Sequence, residues 1–113
     1  MIQGIGVDIV KTERFKKERS EKLNQRLFTE YEIDYIKTPQ TAAGLFAAKE
    51  AVAKAMGIGF VGFWPCDIEI KHTTEGKPYV VLHNRAKELF EGRQIHLSIS
   101  HTDTDAVAFV VVG

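Results

Sequence analysis

Asp8, Glu50 and Lys54, drawn from two distant parts of the chain, carry chemistry of one kind. Asp8 closes a stretch of Ile, Val and Gly, where a carboxylate must stay wetted or find a cation or hydrogen-bond donors. Glu50 and Lys54 lie one helical turn apart in an Ala-rich segment. Two carboxylates and a lysine would suit Mg²⁺ and a phosphorylated substrate. Mg²⁺ takes one or two carboxylates and completes its octahedron with water and phosphate oxygens, and a lysine neutralises the remaining phosphate charge. Plainer readings stand beside this one. Asp8 could cap the turn after a strand, and Glu50 and Lys54 could form an exposed i,i+4 ion pair worth roughly 0.3 kcal/mol. Spacing leaves these alternatives open.

Other chemistries fail on residue pattern. Gly4-Ile5-Gly6 begins like a dinucleotide loop, but Ile9 occupies the place of its third glycine, and no GxxxxGK[ST] run occurs. His72, His83, His96 and His101 have no zinc-site spacing with Cys66 or with each other. Ser98 and Ser100 beside His101 lack the GxSxG turn of a hydrolase nucleophile. Cys66 has no sequence cue to activation and reads as a small core residue.

The elements that must hold these residues follow from periodicity. Between Ile2 and Val10, Ile5, Val7 and Ile9 alternate with Gly4, Gly6 and Asp8, which predicts a half-buried strand with Asp8 off its apolar face. Without side chains, Gly4 and Gly6 allow another backbone or a ligand to approach on that side. The charged stretch from Glu13 to Arg26 predicts a helix lying largely in solvent, with Phe15 and Leu23 as its sparse apolar positions. Thr29 and Glu32 form a capping-box pattern for a short helix through Ile36, after which Pro39 breaks the periodicity.

From Gln40 to Met56 there are seven alanines and one glycine, which predicts a tightly packed central helix closed by Gly57. Leu45, Ala48, Val52, Ala55 and Met56 share one stripe, and Phe46, Glu50 and Lys54 another. Asp67–Lys71 and Tyr79–Leu82 around a Glu75-Gly76 turn predict a hairpin, Asn84 a cap for a helix closed by Gly92, and 95–100 with 106–112 a last strand pair around His101 to Asp105. Strands mixed with helices in this order give an α+β fold, a small antiparallel sheet packed on a central Ala-rich helix.

The chain of 113 residues fits one domain, 1–113, small enough that self-association would add useful burial. Fifteen basic residues balance fifteen acidic ones, which removes the general positive field of a nucleic-acid binder. One cysteine, and no basic segment leading a long apolar run, point to a cytoplasmic protein that does not enter a membrane.

Ile5-Gly6-Val7-Asp8 and Phe46-Ala47-Ala48-Lys49-Glu50-Ala51-Val52-Ala53-Lys54 resemble the two signature motifs of the 4′-phosphopantetheinyl transferases. The resemblance continues through Phe28-Thr29, Gly57-Ile58-Gly59, Asp67-Ile68-Glu69-Ile70, Gly76-Lys77-Pro78-Tyr79 and Ser98-Ile99-Ser100-His101. The order and spacing are those of the short bacterial type, the holo-acyl-carrier-protein synthases, over essentially the whole chain.

The resemblance implies transfer of phosphopantetheine from coenzyme A to a serine of an acyl-carrier protein in fatty-acid biosynthesis, releasing 3′,5′-ADP. It makes Asp8 and Glu50 the Mg²⁺ ligands and has Lys54 hold the diphosphate. Gly57, Pro78 and His101 would line the coenzyme A site, with His101 and Thr102 near the 3′-phosphate. Glu50 would accept the serine proton. The family also implies a homotrimer with active sites between subunits. Two departures stand out: Leu45 occupies a position often held by a phosphate-gripping arginine, and the stretch between Ile36 and Ala42 is short.

Between Lys11 and Arg26 lie seven basic residues interrupted by Glu13, Glu18 and Glu21. The segment reads either as a mixed-charge solvated helix or as a docking surface for an acidic carrier, with Arg14 at a basic position of the family. A non-catalytic module that binds coenzyme A, and a structural oligomer in which Glu50 and Lys54 merely pair, remain as alternatives.

Overall fold

In the computed structural model, which describes residues 1–113, strand β1 (Gly4–Lys11) leads through a 3₁₀ turn (Thr12–Phe15) to helices α1 (Glu21–Leu27), α2 (Glu30–Tyr35) and α3 (Pro39–Ala55). A second 3₁₀ turn (Pro65–Asp67) precedes strands β2 (Ile68–His72) and β3 (Pro78–Leu82), helix α4 (Asn84–Leu89), and strands β4 (Ile95–His101) and β5 (Asp105–Val112). The sheet order is β1-β5-β4, antiparallel throughout, with β2 and β3 as a separate hairpin. This is the expected α+β architecture. No helix is long and apolar enough to cross a membrane.

Helix α3 lies across the three-stranded sheet. Val10, Ala106, Ala108, Val110 and Val112 form the buried sheet face beneath it. On β1 the same face carries Gly4 and Gly6, and there the two backbones touch. A Cβ on Gly6 would sit 2.0 Å from the Ala51 carbonyl oxygen, and one on Gly4 1.9 Å from that of Ala55. The alternation of β1 is as expected, yet its apolar side is the outer one. Ile5, Val7 and Ile9 are 63%, 52% and 67% exposed. A helix that approaches this closely needs glycines under it, not branched side chains.

The two-stripe expectation for α3 also changes. Twelve of its 17 residues are buried, so the helix is enclosed on nearly every side. Small residues permit that enclosure, because thin side chains let several neighbours approach at once. Pro39 starts the helix instead of breaking it. It sits in the first turn, where a missing N–H costs nothing, and the Thr38 hydroxyl accepts the Thr41 N–H. Gly57, at φ 70°, closes the helix and donates its N–H to the Lys54 carbonyl.

The long solvated helix expected over 13–26 is not formed. Phe15 is drawn into the core, its ring 6.0 Å from Phe28 and 5.6 Å from Phe46, and the chain must turn to place it there. Ser20 then caps a fresh helix, α1, by accepting the Leu23 N–H. That helix buries no residue, as its composition predicts. The capping box at Thr29 and Glu32 forms as expected and starts α2. Asn84 does not cap α4: it sits inside the helix at φ 54°, and its amide donates to Asp67. Cys66 is half-buried at the edge of the core.

A Gly6→Ala substitution should destabilise the chain by about 3 kcal/mol or more, because its methyl would meet backbone that cannot move alone. Gly59→Ala, whose Cβ meets nothing within 4 Å, should change stability by less than about 0.5 kcal/mol. Urea unfolding of the two variants checks the contrast; equal midpoints would rule out the close approach.

Candidate active site

Asp8 pairs with Ala108 in the sheet, and Ala108 with Ile99, so all three side chains share the α3 face. The Lys54 ammonium donates to Asp8 Oδ1 at 2.8 Å and to the Val7 carbonyl at 3.2 Å. The simple i,i+4 pairing of Glu50 with Lys54 is therefore replaced by a bond between α3 and β1. That bond, first through hydrogen bonding and then through the Asp8 charge, raises the Lys54 pKa.

Glu50 lies half-buried on the same side of α3. Burial pushes its carboxyl above the ordinary carboxylate range, and the Asp8 charge pushes it further, while Lys54 and Arg14 pull the other way. Arg14 comes from the 3₁₀ turn after β1, its guanidinium 4.9 Å above the ring of Phe46. Two carboxylates and two cations thus act on one another from three separate elements. A carboxylate with a raised pKa is a better proton acceptor near neutral pH.

No cluster of three or more His, Cys, Asp or Glu side chains is arranged to hold a metal. Two mutually repelling carboxylates nevertheless fit an ion such as Mg²⁺ that draws its other ligands from water and a phosphorylated substrate. Asp8 and Glu50 are the pair that could hold it.

Of the remaining sequence-predicted residues, Gly57 adjoins Lys54 through its N–H bond to the Lys54 carbonyl, whereas Pro78, His101 and Thr102 line other hollows of the chain. Pro78 and His101 line a hollow of about 190 Å³ with Tyr35, His72 and Leu45. Leu45 is buried there, and no lysine or arginine lines that hollow. Thr102 and His101 border a second hollow, about 300 Å³, that opens beside Ile9 and Val107. Gly57 lies near the opposite end of α3 from His101. Gly44 faces Ile99, so the separation along the helix is about 20 Å. A third hollow, about 410 Å³, runs along Ile5, Val7, Phe109 and Lys54. The largest cavity, about 1150 Å³, lies between α1–α2 and the start of α4 and touches none of Asp8, Glu50 or Lys54.

Two features escape the sequence reading. Lys49, inside the signature segment, is fully buried, with both Glu32 carboxylate oxygens 2.8 Å from its ammonium. A lysine flanked by buried positions on all helical spacings was the available signal. His72 is stacked on Tyr35 at 3.9 Å and 9°, forming an aromatic wall of the Pro78 hollow. Tyr35 and His72 are 37 residues apart, and their pairing has no local signature.

Residues 4–111 match the model of the 4′-phosphopantetheinyl transferase superfamily. A holo-[acyl-carrier-protein] synthase of Clostridium botulinum is 46% identical over 120 residues, covering 99% of this chain and 98% of that one. The crystal structure of the Neisseria meningitidis holo-[acyl-carrier-protein] synthase superposes with a TM-score of 0.88 at 34% identity, covering 100% of this chain and 99% of the other. That of the Helicobacter pylori protein, in complex with coenzyme A, gives 0.85 at 32% identity, covering 96% and 99%.

The raised Glu50 pKa has a consequence for stability. An acid whose folded pKa lies above its unfolded value binds more protons when folded, so stability falls as pH rises through that window. Ionising Glu50 in the folded chain therefore costs stability. Glu50→Gln should melt above the unaltered chain at pH 7, and the difference should close toward pH about 4. Thermal melts at the two pH values check this; a lower melting temperature for the variant at pH 7 would contradict the assignment.

Proposed function

The chain belongs to the 4′-phosphopantetheinyl transferase superfamily, and from that premise we propose that it is a holo-acyl-carrier-protein synthase. It transfers the 4′-phosphopantetheine group of coenzyme A to a serine of apo-acyl-carrier protein. The observation that carries the reading is the grouping of Asp8, Glu50 and Lys54 between β1 and α3.

In the proposed reaction the carrier serine oxygen attacks the β-phosphorus, which bears the pantetheine arm. The bond to the bridging oxygen breaks, and 3′,5′-ADP leaves with that oxygen. Glu50, whose burial favours proton uptake, accepts the serine proton. Lys54, a mostly exposed ammonium tethered by Asp8, turns from that carboxylate to the diphosphate oxygens and stabilises their charge as the bond breaks. Mg²⁺, held by Asp8 and Glu50, would supply further stabilisation of the diphosphate charge.

Coenzyme A is bound by Lys54, Gly57, Pro78, His101 and Thr102, with the imidazole of His101 and the hydroxyl of Thr102 toward its 3′-phosphate. Leu45 contributes only apolar contact, so the nucleotide grip rests on fewer cations than in relatives with arginine there. Arg14 contacts the acidic carrier.

The enzyme works as a homotrimer with sites between subunits, in the cytoplasm, in fatty-acid biosynthesis. What supports the assembly is the uncovered apolar sheet face. Ile5, Val7, Ile9 and Phe109 are all about half exposed or more, and the hollows beside Lys54 and beside His101 and Thr102 both open against it. A neighbour covering that face would bring its own His101 and Thr102 toward this copy's Lys54.

Intact-mass measurement of apo-carrier protein incubated with the chain, coenzyme A and Mg²⁺ tests the activity. Addition of phosphopantetheine is expected; coenzyme A binding without addition would indicate a binding module, and neither would leave a structural protein. Glu50→Gln should lose about 10²–10⁴-fold in turnover. Arg14→Glu should raise KM for the carrier while leaving that for coenzyme A unchanged. Val7→Glu should give monomers by sedimentation and abolish transfer; an active monomer would refute the shared site.

A further inference from the structure

Lys49 lies next to Glu50 in the signature segment and has no part in the reaction described above. Its side chain is fully buried. The ammonium donates to both carboxylate oxygens of Glu32 and to the carbonyls of Pro65 and Ile68. The Glu32 carboxylate also accepts the N–H of Ile70 at 2.8 Å and that of Thr29 at 2.9 Å. One residue of α3 is thereby fixed to α2, to the 3₁₀ turn at Pro65 and to β2.

We propose that Lys49, through its ion pair with Glu32, is a positioning residue that sets the rotation of α3 about its axis and so aims Glu50 at Asp8. The inference rests on the transferase reading of Asp8 and Glu50. Seven of the 17 residues of α3 are alanines, and contacts between methyl groups and their neighbours have little directional preference. Ala42, Ala43, Ala47 and Ala48 would pack almost as well after a small rotation. The bond network of Lys49 would not, because each of its bonds has a preferred length and angle.

Successive residues on a helix are about 100° apart, so fixing Lys49 toward α2 and β2 directs Glu50 toward β1. A rotation of about 20° would move a side-chain atom about 5 Å from the axis by about 2 Å. Displacements of about 1 Å at a reacting group can cost about 100-fold in rate. A buried ion pair is also a poor device for stability alone, since apolar side chains of similar size often replace one at no loss. What apolar replacements would not supply is the angle.

The test replaces both partners, Glu32→Met with Lys49→Met, and assays transfer beside the unaltered chain. If the unaltered chain transfers nothing, the functional reading fails and with it this inference. If it is active, the double variant should melt within a few degrees of it or above, lose about 100-fold in kcat, and keep KM for coenzyme A within about 3-fold. A double variant that melts cooperatively with kcat within about 3-fold of the unaltered chain would overturn the proposal. Glu32→Asp covers the case in which the double variant does not fold. It keeps both charges but draws the carboxylate back by one methylene. It should lower kcat about 10-fold with KM for coenzyme A little changed, and Glu32→Asp with unaltered kcat would likewise overturn the assignment.

Discussion

The backbones of β1 and α3 touch at Gly4 and Gly6, and the rest of the site depends on that contact. Neither glycine could gain even a methyl without entering the helix backbone. The close approach lets the Lys54 ammonium reach both a main-chain carbonyl and the Asp8 carboxylate of the strand. A larger separation would leave Asp8 and Glu50 too far apart to perturb each other. The same contact decides which face of β1 is inner, and consequently leaves three branched side chains facing out.

Held this way, the charges are in deliberate imbalance. Glu50 is pushed toward its protonated form by burial and by Asp8, while Lys54 and Arg14 oppose that shift. A free protein would relax such a conflict if its elements could rotate or slide. Here the helix is enclosed almost completely, with the glycine strand on one side and the Lys49–Glu32 pair on another. Fixed geometry is what allows an unfavourable carboxylate to persist, and a carboxylate in that state is suited to take a proton.

Much of this was legible in the sequence, for physical reasons that also mark where legibility stopped. Alternation in β1 placed Asp8 beside the glycines, because side-chain direction in a strand is fixed by position alone. It did not say which face was inner, since that depends on what packs against the strand. The capping box at Thr29 and Glu32 is local and was readable. Its second role was not: the Glu32 carboxylate that caps α2 also receives Lys49, 17 residues on. The break in the expected helix after Phe15 came from tertiary demand for that ring, which no local propensity carries. Asp8, Glu50 and Lys54 were singled out by type, but that Lys54 bonds Asp8 and not its helical neighbour required the fold.

One chain presents Asp8 and Glu50 in one place and the hollows lined by His101 in others. A small domain buries a limited share of its surface, and this one leaves the face containing Ile5, Val7, Ile9 and Phe109 open. The proposed assembly answers both facts with one contact. The apolar face that costs free energy in an isolated copy becomes the wall across which two half-sites meet. On that reading the branched residues of β1 are outward for the same reason that its glycines are inward. The strand joins its own helix through backbone on one side and a second copy through side chains on the other, with Asp8 on the inner side and the interface one residue away.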